Sequence, residues 1–388
     1  MKSFRICRSP LLLCLAILTG LSFQVSLALP VTGLYSQNVA VANESDAERD
    51  RAFRDALAAV ILKVTGEARW LAHPVVANAL ANAQSYVEAI AYSSEIIPIE
   101  PAAEEELAVE KETAADEILE LEPVSVPTSY EQRYVEVDFA ASLIDQLLTD
   151  AEIPVWDSNR PSVLVWMALQ NAAGERSLLT SDINQEIIDS IQNFAQLRGL
   201  PVIFPVLDFE DRRNLNEDLV WALDEESIRR ASERYAADSV LTGRLHFTDS
   251  GELVGLWQFI FQDRAEVFDG FDTELEDYLY APLDKITNQL ASYFAIVPEA
   301  ANTEFVRLQV EGVGDLQDYS ALIAYVSNLG LVESVLPAAL DGERLDLQLG
   351  LVGSAGQLFE LIALDRDLLP IQSSQTGLEP VLHYRWTR

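Results

Sequence analysis

The sequence predicts an α+β protein whose middle part is an α/β domain with a mixed sheet. Apolar residues alternate with a period of two in several short runs, and they recur with a helical period in others. In residues 154–298 the two patterns follow one another as strand, helix, strand, helix and strand. This order is typical of parallel strands joined by right-handed crossovers. A chain of 388 residues that is 49% hydrophobic can bury the cores of two or three domains.

Residues 1–28 are predicted to be a signal peptide. A basic start is followed by the apolar run "LLLCLAILTGL" and by small residues that suit cleavage after Ala28. Both cysteines, Cys7 and Cys14, lie in this segment, so we expect no thiol or disulfide in the exported chain. The expected location is the periplasm, with an uncleaved anchor as the alternative. No later apolar run has the length of a membrane span.

Residues 29–153 are predicted to form an N-terminal α+β domain. A strand is expected in "PVTGLYSQNVAVA", and the capping box from Ser45 to Glu48 begins a helix that ends at Gly66. A second helix is expected across "PVVANALANAQSYVEAI", followed by the strands "AIAYSSE" and "YEQRYVEVDF". Residues 95–128, between these strands, are rich in acids and prolines, and this composition predicts a disordered acidic insertion.

Residues 154–298 are predicted to form the central α/β domain. It begins with the strand "SVLVWMALQ" and a helix whose apolar stripe includes Ile183 and Ile187. The strand "PVIFPVLD", the helix "DEESIRRASERYAAD" and the strand "SVLTGRLHF" follow. An antiparallel hairpin of "LVGLWQFIF" and "RAEVFDG" and a helix at about 273–296 complete it. Gly243, inside a strand, indicates a bulge or a close approach of backbone.

Residues 303–388 are predicted to form a C-terminal ferredoxin-like βαββαβ unit. Asp315 caps its first helix, and the capping box from Ser354 to Gln357 begins its second. The run "RLDLQLGLV" has leucine at every second position, as in a half-buried strand, and "VLHYRW" provides the last strand. Strands and helices in this order are those of a split βαβ arrangement.

The chain is strongly acidic, with a formal net charge of −36. Nucleic acid and anionic membrane surfaces are therefore poor partners. The charge is spread along the chain, which favours a role in solubility in a salt-tolerant organism. A docking face for a basic partner is the functional alternative.

Few residues suggest catalysis or metal binding. Outside the signal segment the histidines are His73, His246 and His383, which are far apart in the chain, so no metal site is predicted. The sequence contains no nucleophile elbow, no phosphate-binding loop and no dinucleotide-binding motif. We therefore predict no catalytic residue and no cofactor.

One acidic turn is a candidate binding site. Asp208, Glu210 and Asp211 follow a predicted strand of the α/β domain, and ligands of open α/β sheets bind beyond the carboxyl ends of strands. The carboxylates could bind a cation or act as acid and base on a glycan, although Arg212 beside them opposes a cation. Trp166 could stack on glycan rings. The structural alternatives are that Asp208 caps the turn and pairs with an arginine, and that Trp166 is core.

Several stretches resemble a known family. "RPSVLVWMA", "RGLPVIFPVLDFED", "ASERYAADSVLTGRL" and "ALAAVILKVTG" look like signatures of the domain of unknown function 2066 family (DUF2066), found in exported proteins of gammaproteobacteria. This resemblance implies a cell-envelope location and no established activity. Residues 162–265 also resemble, at the level of the fold, the α/β docking domains of TolB-type translocation proteins and curli-type secretion proteins.

The sequence thus favours a soluble periplasmic protein that binds or scaffolds an unidentified envelope protein, without catalysis. The alternative is a carboxylate-dependent cell-wall glycan hydrolase or glycan binder that uses the acidic turn. A third possibility is a loop stabilised by calcium. These hypotheses differ in what the carboxylates of the turn would contact.

Overall fold

The computed structural model describes residues 31–98, 129–182, 184–297, 303–364, 367–371 and 381–387. In these residues the chain is a mixed α+β fold with three sheets, two of which combine parallel and antiparallel strands. The predicted fold class is therefore confirmed. The predicted signal peptide at 1–28, residues 99–128 of the predicted acidic insertion, and Ile183 lie outside the described residues.

The N-terminal unit is a three-stranded antiparallel sheet packed against helices. Its elements are β1 (Ser36–Val41), α1 (Asp46–Thr65), α2 (Pro74–Ala81), β2 (Val87–Pro98), β3 (Ser129–Phe139) and α3 (Ala141–Asp150). The strand order is β1-β3-β2. Val135 and Val137 of β3 alternate into a core that also contains Leu57 and Ile61 of α1. The second helix is shorter than predicted, because from Val87 onward the chain pairs with β3.

The central unit has a mixed sheet with helices on both faces. Its elements are β4 (Val163–Gln170), β5 (Arg176–Leu178), α4 (Gln185–Arg198), β6 (Val202–Ile203), α5 (Phe209–Asn214), α6 (Glu217–Ala222), α7 (Glu225–Ser232), β7 (Ser239–Phe247), β8 (Leu253–Phe261), β9 (Arg264–Asp272) and α8 (Leu275–Phe294). The strand order is β5-β4-β7-β8-β9, and β6 also pairs with β4. β4 is parallel to β6 and β7, as predicted, whereas β7, β8 and β9 are antiparallel.

The strand predicted to end at Asp208 is much shorter than expected. β6 contains only Val202 and Ile203 and pairs with the first two residues of β4. β5 occupies the other half of the same edge, where it pairs with Ala168–Gln170. Pro205 has no N–H to donate to a strand ladder. The acidic turn therefore begins beyond an irregular segment and not at a strand end.

Gly243 permits a close approach of an aromatic ring. The register of β7 with both neighbouring strands is continuous, so there is no bulge at this position. Gly243 is opposite Trp257 of β8, and a Cβ atom on Gly243 would lie 2.5 Å from Cζ3 of that indole. Trp257 is fully buried. The glycine is thus required by packing.

The C-terminal unit has a five-stranded sheet and two helices. Its elements are β10 (Thr303–Glu311), α9 (Leu316–Ser327), β11 (Val332–Asp341), β12 (Arg344–Val352), α10 (Ala355–Leu364), β13 (Leu368–Pro370) and β14 (Val381–Trp386). The strand order is β11-β12-β10-β14-β13. β10, β11 and β12 have the predicted split βαβ arrangement. Beyond it, the additional strand β13 forms the edge, and β14 lies parallel to β10.

A buried arginine joins the N-terminal and central units. Arg160 precedes β4, and its guanidinium donates to five backbone carbonyl oxygens. The acceptors are those of Lys63 at 2.7 Å, Asp157 at 2.8 Å, Trp156 and Arg198 at 2.9 Å, and Gly199 at 3.0 Å. Helices leave carbonyl groups without partners at their C-terminal ends. Arg160 satisfies such groups on α1 and on α4 at once.

The hydrophobic core continues from the central unit into the C-terminal unit. One cluster of buried side chains includes Trp257 of β8, Leu283 of α8, Leu308 of β10 and Leu361 of α10. The N-terminal unit has a separate cluster, as does the face of the central sheet that contains Trp166. The domain boundaries at 153 and 298 remain predictions, since burial describes packing and does not test independent folding.

Candidate functional site

The acidic turn, residues 206–212, comprises the end of the segment after β6 and the first residues of α5. Asp208 is the N-cap of α5, and its Oδ1 accepts from the backbone N–H groups of Glu210 and Asp211, both at 3.0 Å. Free N–H groups at a helix N-terminus require such an acceptor. One carboxylate oxygen of Asp208 is therefore occupied by backbone N–H groups of α5.

Arg234, which follows α7, forms ion pairs with the carboxylates of the turn. Its Nη1 lies 2.8 Å from Oδ1 of Asp208, and its Nη2 lies 2.9 Å from Oδ2. The same Nη1 lies 3.0 Å from Oδ1 of Asp211 and 3.6 Å from Glu210. This guanidinium holds the pKa of Asp208 at about 2. A carboxyl group with such a pKa carries no proton at neutral pH, so Asp208 is unsuited to act as a general acid.

Asp211 connects the turn to the core. Its side chain is fully buried, and Oδ2 accepts from the backbone N–H of Leu207 at 2.9 Å and from the hydroxyl of Tyr235. That hydroxyl accepts from the N–H of Val206 at 2.8 Å. Burial and the bond to Asp211 raise the pKa of Tyr235 to about 12, so the tyrosine keeps its proton. Asp211 thus holds the backbone on the N-terminal side of the turn.

Trp166 lies beneath this network and not on the surface. Its indole is fully buried, packs edge-on against Tyr235 with ring centroids 6.1 Å apart, and donates to Ser232 Oγ at 3.0 Å. Its strand β4 has paired strands on both sides, and α6 packs against it. Trp166 therefore offers no face for a glycan ring, which corrects its prediction as a binding residue.

Leu207 has an unusual backbone conformation. Its φ of 55° lies in the left-handed region, which is uncommon for a residue with a branched side chain. Its N–H donates to Asp211, and its carbonyl accepts from Nε of Arg212 at 2.9 Å. Backbone strain of this kind persists only where neighbouring groups hold it, and it is concentrated at functional sites. Arg212 thus helps to hold the backbone of Leu207 in this conformation.

The braced turn exposes two large apolar side chains. Val206 is 73% exposed and Phe209 is 81% exposed. Phe209 is the most exposed of the large hydrophobic side chains in the part of the chain that the structure describes. Val206 precedes the charged residues of this turn and Phe209 lies among them, and their exposure was not predicted. Exposed aromatic side chains on a fixed backbone are typical anchors of protein interfaces.

The geometry gives little support to metal binding or acid–base catalysis. Across the described ranges, no group of three or more His, Asp or Glu side chains is placed to hold a metal ion. Asp208 and Asp211 are held by Arg234, Tyr235 and backbone N–H groups, so only Glu210 keeps a largely exposed carboxylate. Most glycosidases use two free carboxylates to cleave the glycosidic bond.

Similarity to known proteins is confined to part of the chain. A family model described as "Domain of unknown function (DUF8605)" matches residues 28–157. No curated protein matches the chain. A solved structure titled "Crystal structure of uncharacterized protein" matches with a TM-score of 0.18 and 12% identity, over 35% of this chain and 92% of its own. At this TM-score the match carries no argument about fold or function.

The predicted resemblance to the DUF2066 family is wrong, because the family model that matches is a different one. Three of the four quoted stretches lie between residues 160 and 245, outside the matched range. Apolar strands followed by acidic turns occur in many α/β sheets, so such stretches are not specific to one family. The likeness to TolB-type and curli-type domains is likewise unsupported.

Among the residues that the structure describes, no helix combines the length and the apolar character needed to cross a bilayer.

Proposed function

We propose that this protein is a non-catalytic binding module of the cell envelope, and that the acidic turn docks another protein. The observation that supports this most directly is the exposure of Val206 and Phe209 on a backbone held by the buried Asp211. A rigid apolar pair loses little conformational entropy when a partner covers it. The expected partner has an apolar pocket that accepts the phenyl ring of Phe209.

Charge and sequence point to the kind of partner. A net charge of −36 disfavours nucleic acid and anionic lipid, which leaves protein surfaces as the favoured class. Residues 1–28 have the pattern of an export signal, which supports an envelope partner. The glycan-hydrolase alternative has no second observation in its favour, because Trp166 is buried and Asp208 is paired with Arg234.

Site-specific photocrosslinking in the producing cell tests the proposal. A photoreactive phenylalanine analogue is placed at Phe209 in the full chain, and Leu316 is the matched control. Both residues directly follow an Asp N-cap, and Leu316 is 77% exposed. We expect a light-dependent protein adduct from position 209 that is absent from position 316.

A second substitution separates docking from incidental contact. Val206→Asp adds charge beside Phe209 and leaves the bonds of Asp208 and Asp211 to Arg234 in place. We expect it to abolish the adduct from position 209 while the melting temperature is unchanged. Identical adducts from positions 209 and 316, no adduct from position 209, or an adduct that survives Val206→Asp would each overturn the proposal.

A further inference from the structure

The outer edge of β2 is open along the length of the strand. β2 is the last strand of the N-terminal sheet, where it pairs with β3 on one side. Among the described residues no strand pairs with its other side, and every residue from Glu88 to Ile96 is exposed. Such an edge presents a row of backbone N–H and C=O groups to which another strand can bond.

β2 lacks the features that usually protect an edge strand from pairing. Natural edges carry lysine, proline, several charges or bulges. From Ala89 to Ile97 the register of β2 with β3 is continuous, the strand has no lysine or proline, and Glu95 is its only charged residue. β9 and β11, which are also edge strands, are protected: β9 has four charged residues among nine, and β11 contains Pro337 and two register shifts. Of these three edges, β2 is therefore the one best suited to bind another strand.

Apolar side chains line one face of this open strand. Ile90 and Tyr92 are opposite Val137 and Val135 of β3, so they lie on the face of the sheet that packs against α1. Both valines are fully buried, whereas Ile90 is 43% exposed and Tyr92 is 46% exposed. Ile96, on the same face, is 73% exposed. The apolar face of the N-terminal sheet therefore continues from the core to the open edge.

A second copy of β2 matches this edge in antiparallel orientation. With Ser93 opposite Ser93 of the second copy, residues 89–97 of both strands pair fully. Pro98 has no N–H to donate, and it lies just outside this ladder. Moving the centre forward by one residue would bring Pro98 into the ladder. The backbone therefore favours the register that is centred on Ser93.

The side chains favour the same register. It places Ile90 opposite Ile96 and Glu95 opposite Ala91, so apolar residues meet and no like charges face each other. Moving the centre back by one residue would instead place Glu88 opposite Ile96. A register that pairs even with odd positions is excluded, because it would oppose side chains of different faces. Backbone and side chains thus select one pairing.

We propose that two copies of this chain associate through β2, by antiparallel pairing centred on Ser93. The two N-terminal sheets then form one six-stranded sheet of order β1-β3-β2-β2-β3-β1. The contact uses the same strand of both copies, so it closes after two copies and gives a two-fold dimer. The strip of Ile90, Tyr92 and Ile96 becomes continuous across the two-fold axis.

Analytical ultracentrifugation of the full chain tests the proposal. Two copies that each carry a net charge of −36 repel one another, so sodium chloride at about 0.3 M is included to screen this charge. We expect a reversible monomer–dimer equilibrium in which the dimer fraction rises with protein concentration. A chain that remains monomeric up to about 0.1 mM would overturn the proposal.

A charge placed on the outer edge tests whether β2 forms the contact. Ile96→Lys adds a residue of the kind that blocks edge pairing, and within one chain it is opposite Glu131, so the β2–β3 hairpin keeps a favourable pair. We expect the dissociation constant of the dimer to rise at least about tenfold. Phe271→Lys, on the edge strand β9 and 64% exposed in the wild type, is the matched control and should dimerise normally. Equal weakening by both substitutions, or none by Ile96→Lys, would contradict the assignment to β2.

Engineered disulfides test the register, and they remain informative if the lysine variant is unstable. In a full chain with Cys7→Ser and Cys14→Ser, Ser93→Cys and Ser94→Cys are oxidised in parallel. Directly opposite residues have Cα atoms about 4.5–5.5 Å apart, which suits a disulfide, whereas the two copies of position 94 would be diagonal neighbours about 7–8 Å apart. We expect covalent dimer mainly from Ser93→Cys. An equal yield from both variants, or a higher yield from Ser94→Cys, would overturn the proposal.

Other occupants of the edge give different results. A strand of another protein would leave the purified full chain monomeric. If the full chain is monomeric but dimerises once residues 99–128 are replaced by Asn-Gly, that segment of the same chain covers the edge, and the proposal fails. The dimer does not involve Phe209, so a missing photocrosslink from position 209 together with an intact dimer would contradict the proposed function alone.

Discussion

The guanidinium of Arg234 forms two parallel hydrogen bonds with the carboxylate of Asp208, at 2.8 and 2.9 Å. The same carboxylate caps the first turn of α5. Asp208 therefore braces the turn from its position on the surface, and its role is to fix the backbone beside Phe209. The charge of Asp208 is thus paired with Arg234 of the same chain.

The first prediction concerns the pH dependence of this brace. The pKa of Asp208 in the folded chain, about 2, is below the unfolded value of about 3.9. The ionised form therefore stabilises the fold above pH 4, and this stabilisation is lost as the pH falls toward 2. Asp208→Asn keeps a capping oxygen and removes the charge. Urea unfolding should show the wild type to be more stable at pH 6, with a gap that closes toward pH 2.

Asp249→Asn, in the exposed turn between β7 and β8, is the matched control for that experiment. It changes the net charge equally and leaves the pair of Asp208 and Arg234 intact. We expect Asp249→Asn to differ little from the wild type in stability at any pH. If its stability difference from the wild type is as large at pH 6 and also disappears toward pH 2, the effect is due to net charge and not to this pair.

The second prediction concerns Arg160. Arg160→Lys retains the charge but cannot donate to five carbonyl oxygens, so buried acceptors on α1 and α4 lose their partners. We expect the free energy of unfolding to fall by about 3 kcal/mol. Arg264→Lys, on the exposed start of β9, should change it by less than about 0.5 kcal/mol. Equal effects of the two substitutions would show that Arg160 does not join the units.

The third prediction concerns Gly243. Gly243→Ala places a methyl group 2.5 Å from the buried ring of Trp257, which must then move within a packed core. We expect a loss of about 2 kcal/mol in the free energy of unfolding. Gly356→Ala is the control, because Gly356 lies in α10 with only Ser354 Oγ, at 3.8 Å, near the added atom. It should stabilise the chain by up to about 1 kcal/mol. If Gly243→Ala left the free energy of unfolding unchanged, the sheet would have to adjust to the added methyl group without cost.

The fourth prediction concerns the chain between β2 and β3. Pro98 pairs with Ser129, so the two strand ends are already adjacent. Replacing residues 99–128 by Asn-Gly supplies a two-residue hairpin turn. We expect the melting temperature and the cooperativity of unfolding to be unchanged, as measured by circular dichroism. Loss of a single cooperative transition would show that the segment stabilises the N-terminal unit.

Local patterns in the sequence predicted much of the fold. Ser45 and Ser354 are the N-caps of α1 and α10 as expected. The capping box is complete only at Ser354, because Glu48 accepts from the N–H of Ala42 and not from that of Ser45. The runs "SVLTGRLHF" and "RLDLQLGLV" coincide with β7 and β12. These features depend on residues that are close in the chain, so hydrophobic periodicity and capping motifs predict them.

Features set by distant residues were not predicted. β6 is short because β5 occupies the same edge of β4, and nothing in the run "PVIFPVLD" carries that information. Arg234 was expected only as an unnamed arginine, because 26 residues separate it from Asp208. The pocket between Leu34, Ile296 and Val352 likewise combines residues from all three units. Periodicity within one segment does not predict contacts between residues that are distant in the chain.

The position of β14 has a consequence for the order of folding. This strand lies inside the C-terminal sheet, between β10 and β13, and it pairs with β10 across the intervening α9, β11, β12, α10 and β13. The hairpin of β11 and β12 needs only local chain closure, whereas the pairing of β10 with β14 closes a long loop and is the slower event. Until β14 pairs with it, the side of β10 that faces away from β12 is an open, apolar strand edge with which other chains can pair. Aggregation during refolding should therefore increase when β14 is weakened, more than equilibrium stability alone would suggest.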